Sequence, residues 1–368
     1  MIPSEYFKIL YFSLISFILV VFLFPVLIKK PIEFIVRKQY NLILISILII
    51  CILFIGFRDP WGLVKYLGDT RQYTKTFDAI QTGVKTEYTK DVGFYLYMRI
   101  FTLVTNVQVF FIASALIYCL LPYAMFKKHF GELANYVLIV YVISFSFLPF
   151  GVNGVRNGLA VAIFLWALKF YEKKWLMYSL MILSITFHKA MLLPLLAYLI
   201  SFFVIKNEKK VLLFWVLCTP ISLLFRGTLE NFTELIFSSD SIIQDERAAT
   251  YFSEESQKYK VSGQFRLDFI LYSAIAIFVG YWAIIKKGFQ NQFYSLLFRT
   301  YVIANGIWIL LIYAPYTNRI AYLSWFLMPI ILTVPFVSDL RFKIANNKQK
   351  LIYVIYGSLA FTLIMEFI

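Results

Sequence analysis

Long apolar stretches separated by short polar breaks cover nearly the whole chain. Runs long enough to cross a hydrocarbon core begin at Tyr6 and recur to the C-terminus. They predict spans near residues 6–28, 41–57, 107–126, 134–150, 155–171, 175–188, 189–205, 211–225, 266–285, 293–313, 320–337 and 351–367. Backbone groups in lipid must be paired within the segment, which makes these spans α-helices, and the short alternating strands of a barrel do not occur in the pattern. The expected fold is all-α: a polytopic integral membrane protein of roughly twelve transmembrane helices. The three spans between Val155 and Ile205 are short and closely joined, so one pair could be re-entrant. The first run is longer than a signal-peptide core and has no small-residue cleavage site after it, so it reads as a retained span.

Two polar interruptions, residues 58–106 and 226–264, are too long to be simple turns, and on this topology both are external loops. In the first, Asp69 to Ile80 sets Tyr73, Phe77 and Ile80 at helical spacing, and Val92 to Thr105 is apolar but too short to span. Both predict interfacial helices. The second carries Asp240, Asp245, Glu246, Arg247, Glu254 and Glu255 and reads as a flap or glycan-facing cover. The triplet Asn231-Phe232-Thr233 matches a glycosylation acceptor, a pattern that often occurs by chance. With no repeat, low-complexity tract or soluble domain in view, residues 1–368 are expected to form a single membrane domain.

Composition excludes a soluble enzyme: 61% of the 368 residues are hydrophobic and only 15% charged. A net charge of +15 would suit a nucleic-acid binder, but its distribution argues otherwise. Lys29-Lys30, Arg37-Lys38, Lys127-Lys128, Lys173-Lys174, Lys206 with Lys209-Lys210, Lys286-Lys287, and Arg341, Lys343, Lys348 and Lys350 mark the ends of alternate spans. That is the positive-inside pattern; the bilayer is the partner, and nucleic acid is not. Both termini then face outward. Cys51, Cys119 and Cys218 lie within apolar runs at no metal-binding spacing. No glycine-rich nucleotide loop, zinc spacing or nucleophile elbow occurs, so neither cofactor nor metal is expected. Chemistry here needs a substrate already activated and already in the membrane, and a lipid diphosphate sugar fits both conditions.

The informative charges are those placed outside against the rule: Arg58, Asp59, Asp69, Arg71, Asp78, Asp91, Arg99, Arg156, Lys189, Arg266, Asp268 and Arg319. Arginine offers a fixed fork of donors that matches phosphate oxygens in two places at once. Arg156 stands in the turn Val152-Asn153-Gly154-Val155-Arg156-Asn157-Gly158 just before a predicted helix, and Arg319 stands in Tyr316-Thr317-Asn318-Arg319-Ile320 in the same setting. The plainer reading of each is a tight turn with one solvated arginine, or an arginine paired with a carboxylate. His188 closes a span in Thr186-Phe187-His188-Lys189-Ala190, as a hydrogen-bonded structural group or as a base. The carboxylates near Asp59, Asp69 and Asp91 include candidate bases and candidate salt-bridge partners alike.

Several blocks resemble the EpsG-type members of the Wzy polymerases: Gly56-Phe57-Arg58-Asp59, then Gly68-Asp69-Thr70 and Tyr73, Asp91-Val92-Gly93-Phe94, Asn153 to Ala160, and Phe187-His188-Lys189-Ala190. The likeness continues through Phe265-Arg266-Leu267-Asp268-Phe269, Asn305 and Trp308, and Asn318 to Phe326. It is loosest at 74–90 and 201–260.

This resemblance implies a GT-C-like helix bundle and a lipid-linked glycosyltransferase of the bacterial inner membrane, working on the periplasmic or outer face without nucleotide sugar. The donor would be the growing chain on undecaprenyl diphosphate and the acceptor a single undecaprenyl-diphosphate repeat unit. A flippase and a chain-length regulator are implied partners. Arg156 and Arg319 would stabilise the departing diphosphate, and Asp69 or His188 would serve as base or position the acceptor. Arg58, Asp91, Asn153, Arg266, Asp268, Asn318 and Tyr322 would line the substrate. An O-antigen ligase would use the same external arginines. A flippase or transporter would place ionisable residues at mid-membrane, and a structural membrane subunit would use the arginines only to satisfy local carboxylates.

Overall fold

The computed structural model describes residues 3–27, 38–84, 91–131, 134–237, 265–314, 317–337 and 347–367. Every regular element among the described residues is helical. Six helices are long and apolar enough to cross a membrane, or seven if the pair Glu208–Leu224 and Arg226–Phe232, bent by 96°, is one span. These full-length helices fall on the runs expected near 6–28, 107–126, 266–285, 293–313, 320–337 and 351–367. The runs near 41–57, 155–171, 175–188 and 189–205 form shorter apolar helices, and that near 134–150 divides into Ala134–Val142 and Phe147–Val152. The chain is a polytopic membrane protein. The acidic part of the second loop, Asp240 to Glu255, the basic residues Lys29, Lys30, Arg37, Arg341 and Lys343, and Tyr316 lie outside the described residues.

The chain folds as two compact units, residues 1–188 with 336–368, and residues 189–335. Unit 1 contains α1 (Phe7–Leu27), α2 (Lys38–Gly56), α3 (Val64–Leu67), α4 (Thr70–Gln81), α5 (Val92–Val104), α6 (Val107–Phe130), α7 (Ala134–Val142), α8 (Phe147–Val152), α9 (Val155–Leu168) and α10 (Lys174–Phe187). Its central helix is α6, against which α2 and α9 pack. The Asn106 side chain caps the start of α6 by accepting from the Val109 amide, and Lys127 and Lys128 stand in its last turn, where cations complement the helix dipole.

Contacts within unit 1 sort its helix ends. At one end Gln108 Nε2 donates to the Gly56 carbonyl (2.6 Å), joining the start of α6 to the end of α2. The Leu63 amide reaches Ser4 Oγ (3.4 Å), and Lys8 meets Glu366 at 2.5 Å, which brings the beginning of α1 to the end of the last helix, Asn347–Phe367. At the other end His129 Nε2 lies 2.8 Å from the Leu168 carbonyl, joining the ends of α6 and α9. Arg156 and His188 therefore stand at the first end, and Lys127, Lys128, Lys173 and Lys174 at the second.

Unit 2 contains α11 (Leu192–Leu199), α12 (Glu208–Leu224), α13 (Arg226–Phe237), α14 (Leu267–Tyr281), α15 (Gln292–Leu310), α16 (Thr317–Trp325) and α17 (Met328–Val337, entering unit 1 at its last residues). Its core holds a hydrogen-bonded network around Asn305, which is fully buried. Asn305 Oδ1 accepts from Trp215 Nε1, its Nδ2 donates to Ser273 Oγ and Ser324 Oγ, and Trp325 Nε1 donates to the same Ser273 hydroxyl. With its amide oxygen and nitrogen both engaged, the buried asparagine fixes which faces of α12, α14, α15 and α16 meet.

Candidate functional site

The first external loop supplies two helices where the hydrophobic spacing predicts them. In α4 the face formed by Tyr73, Phe77 and Ile80 turns inward, and in α5 Phe94 and Met98 do the same. These side chains join Phe110 and Phe111 of α6 and Val155 and Leu159 of α9 in one aromatic-rich cluster, with Tyr97, Phe101 and Phe187 packed against it. Rings meet edge-on or tilted, as in Tyr73 on Phe94 (5.7 Å) and Tyr97 on Phe187 (5.9 Å). Three members are close in sequence to polar residues of interest: Phe94 follows Asp91 by three positions, Val155 precedes Arg156, and Phe187 precedes His188. Packing of the apolar neighbours therefore locates the polar groups.

Asp91, Arg156 and His188 come together at this end of unit 1. Arg156 Nη1 donates to Asp91 Oδ2 at 2.7 Å, and His188 Nδ1 lies 3.5 Å from the same oxygen. The Asp91 side chain is only 9% exposed, against 25% for Arg156 and 21% for His188, so the carboxylate sits beneath two cation-capable groups that reach the surface. A charged hydrogen bond in such partly water-excluded surroundings is stronger than one in bulk solvent. Gly93 permits the approach. A Cβ at that position would stand 2.2 Å from Thr186 Oγ1 and 3.0 Å from the Thr186 carbonyl carbon, so the start of α5 touches the end of α10 with no room for a side chain.

Asn153 and Asp69 meet through the backbone: the Asp69 amide donates to Asn153 Oδ1 at 2.9 Å. Asp69 is half-buried and precedes α4. Arg58 is 2% exposed. Its Nε donates to Thr70 Oγ1 (3.0 Å), its Nη1 to the Ile55 carbonyl, and its plane lies 3.8 Å from the Phe111 ring centroid. Burial pushes the Arg58 guanidinium down to about 9, with Tyr73 acting in the opposite direction, and the group keeps its proton at neutral pH.

In unit 2, Arg266 forms a two-armed pair with Asp268, Nε to Oδ1 at 2.9 Å and Nη2 to Oδ2 at 2.6 Å, and stacks over Phe269 at 3.6 Å. Asn318 Nδ2 lies 3.4 Å from the buried Tyr322 hydroxyl, and Arg319 follows in the first turn of α16. Trp308 Nε1 donates to both the carbonyl and the hydroxyl of Thr317, which ties the start of that helix to α15. No group of three His, Cys, Asp or Glu side chains suited to a metal occurs among the described residues.

Sequence reasoning named Asp91, Arg156 and His188 separately and did not join them, because 65 and 97 positions separate the partners of Asp91. The polar role of Thr70 and the contact role of Gly93 were also missed, although both residues lie in blocks that carry the family likeness. Asn305 and Trp308, singled out by that likeness, turn out to organise the interior of unit 2.

Apolar helices throughout the described residues, with lysine pairs at one end of unit 1 and a buried carboxylate met by an arginine and a histidine at the other, define a polytopic membrane protein with a candidate polar site. The chain belongs to the EpsG family, a Wzy-like polymerase family, whose model matches residues 40–367. Neither a curated protein nor a solved structure matches the chain. At the coarse level the family points to a polymerase-like glycosyltransferase.

Proposed function

We propose that this protein lengthens surface polysaccharide by joining undecaprenyl-diphosphate-linked oligosaccharide units, as a GT-C-type enzyme that uses no nucleotide sugar. The observation that carries the reading is the Asp91, Arg156 and His188 cluster, at the end of unit 1 opposite its lysine pairs. By the positive-inside rule that end faces the periplasm or exterior of a bacterial inner membrane. A flippase delivering the units and a chain-length regulator would be natural partners.

In the reaction a hydroxyl of the acceptor sugar attacks the anomeric carbon of the donor. The new glycosidic bond forms as the bond from that carbon to the diphosphate oxygen breaks, and the leaving group departs with the electron pair. Arg156 stabilises the charge that develops on the diphosphate, an effect that is greatest where water is excluded. Its contact with Asp91 fixes the direction of the fork. In the tautomer that carries its hydrogen on Nδ1, facing Asp91, His188 keeps the Nε2 lone pair available to take the hydroxyl proton, and Asp91 stabilises the imidazolium that results. This makes His188 the base and leaves Asp69, whose amide is tied to Asn153, to position the acceptor. A single displacement inverts the anomeric configuration. Arg319, with Asn318 and Tyr322, is assigned an anion-holding role within unit 2.

Arg156→Lys and Arg319→Lys should each shorten the polysaccharide made by cells while protein levels hold, since lysine keeps the charge and loses the fork. Wild-type chain lengths in both variants would remove these residues from the site. Export of unelongated units by the wild-type protein would instead support a transporter, and transfer to a non-polysaccharide acceptor would support a ligase.

A further inference from the structure

Arg58 stands two residues beyond α2, buried, with no carboxylate paired to it among the described residues. Three features take the place of a counter-ion. Its Nη1 donates to Ile55, one of the carbonyls left open by the end of α2, where the helix dipole favours a cation. The face of the guanidinium rests on Phe111 of α6. Its Nε holds the Thr70 hydroxyl, which in turn donates to the Val152 carbonyl at 3.2 Å. Beside this relay the Asp69 amide grips Asn153, and Gly68, at φ 54°, lets the chain pass so close that a side chain there would come within 2.3 Å of Asn153. Thr74 fastens the same segment to the Pro60 carbonyl at 2.7 Å. Val152 ends α8 and Asn153 follows it, leading directly into Val155 and Arg156.

We infer that Arg58 is a positioning residue: through Thr70 it latches the junction of α8 and α9 at 152–153 to the end of α2 and the start of α4, and so holds Arg156 against Asp91. The inference rests on the reading of Asp91, Arg156 and His188 as the reacting centre. It differs from a diphosphate-binding role for Arg58, whose Nε and Nη1 are directed at Thr70 and Ile55 inside the protein. Nor does Arg58 merely fill space. Its Nη2 is buried with no hydrogen-bond partner among the described residues, so an apolar side chain of similar length would occupy this position at lower desolvation cost.

The test uses the full-length protein in detergent or nanodiscs. Arg58→Met should unfold at the same temperature as wild type or higher, yet lower kcat for elongation by roughly tenfold to a hundredfold with KM changed less than about twofold, because the chemistry is misaligned while the substrate surface is intact. Thr70→Val, which keeps the shape and loses the relay, should behave the same way, and Thr70→Ser should restore the rate. Independently of activity, amide hydrogen exchange across residues 150–158 should be faster in Arg58→Met and Thr70→Val than in wild type or Thr70→Ser. Unchanged exchange and unchanged kcat in Thr70→Val would overturn the latch. A rise in KM alone in Arg58→Met would also overturn it, in favour of direct substrate contact. If the wild-type protein elongates nothing while exchange responds as described, the polymerase reading fails and the latch stands.

Discussion

Asp91 Oδ2 serves two partners, a guanidinium and an imidazole, from a nearly buried position. A carboxylate so placed costs desolvation free energy that its partners must offset, and removing any one member leaves the others incompletely satisfied. Asp91→Asn preserves the volume and an acceptor oxygen, so the fold should hold, but the charge that orients His188 and Arg156 is lost. Elongation should fall by about 10² to 10⁴-fold, the range associated with general acid–base catalysis. His188→Gln should do likewise, and the double variant should be little worse than the poorer single one, because the residues act as a unit. Additive losses measured in a single-turnover elongation assay would show that the two act independently. None of the three residues is unusual in the sequence. What was legible was that they share an end of their helices opposite the lysine pairs Lys127-Lys128 and Lys173-Lys174; what was not was their pairing, which depends on how α5 and α10 meet.

At the scale of elements, the meeting of α5 and α10 is set by Gly93. Alanine there collides with Thr186, whose own hydroxyl is held by the Leu183 carbonyl at 2.8 Å. Gly93→Ala should therefore lower elongation at least about tenfold, as expected of an ångström-scale shift at the reacting groups. Adding Thr186→Ala removes the nearest atom and not the backbone behind it, so it should restore part of the rate. Full activity in Gly93→Ala alone would mean that the contact does not govern the site. The helices themselves were readable: α4 and α5 follow from Tyr73, Phe77 and Ile80 at helical spacing and from an apolar stretch too short to span. Their inward faces meet the cluster around Phe110, which no local pattern specifies, since any amphipathic helix shows which side is apolar and not what that side covers.

For the molecule as a whole, the distribution of basic residues predicts which ends share a side, and within unit 1 the contacts at Gly56, Leu63 and Glu366 on one hand and His129 on the other agree with it. Hydropathy does not by itself give helix length. Short helices such as Val155–Leu168 and Lys174–Phe187 are apolar yet fall below full-span length, and window averages do not register breaks like that between Val142 and Phe147. Because Cys51, Cys119 and Cys218 are buried, introduced cysteines can be read against a low background. A membrane-impermeant maleimide applied to intact cells should label Gln72→Cys, exposed on α4, and should not label Glu172→Cys, exposed before α10. The reverse labelling would place the cluster in the cytoplasm, where no lipid-linked unit awaiting export-side assembly could reach it.

The central claim is that the Asp91, Arg156 and His188 cluster joins lipid-linked sugar units. Its most direct test supplies purified full-length protein with a single undecaprenyl-diphosphate repeat unit and resolves the products by size. A ladder of longer lipid-linked chains should form without nucleotide sugar or ATP and collapse toward the input unit in Arg156→Lys protein that remains folded. No ladder from the folded wild-type protein, or an unchanged ladder from Arg156→Lys, would contradict it.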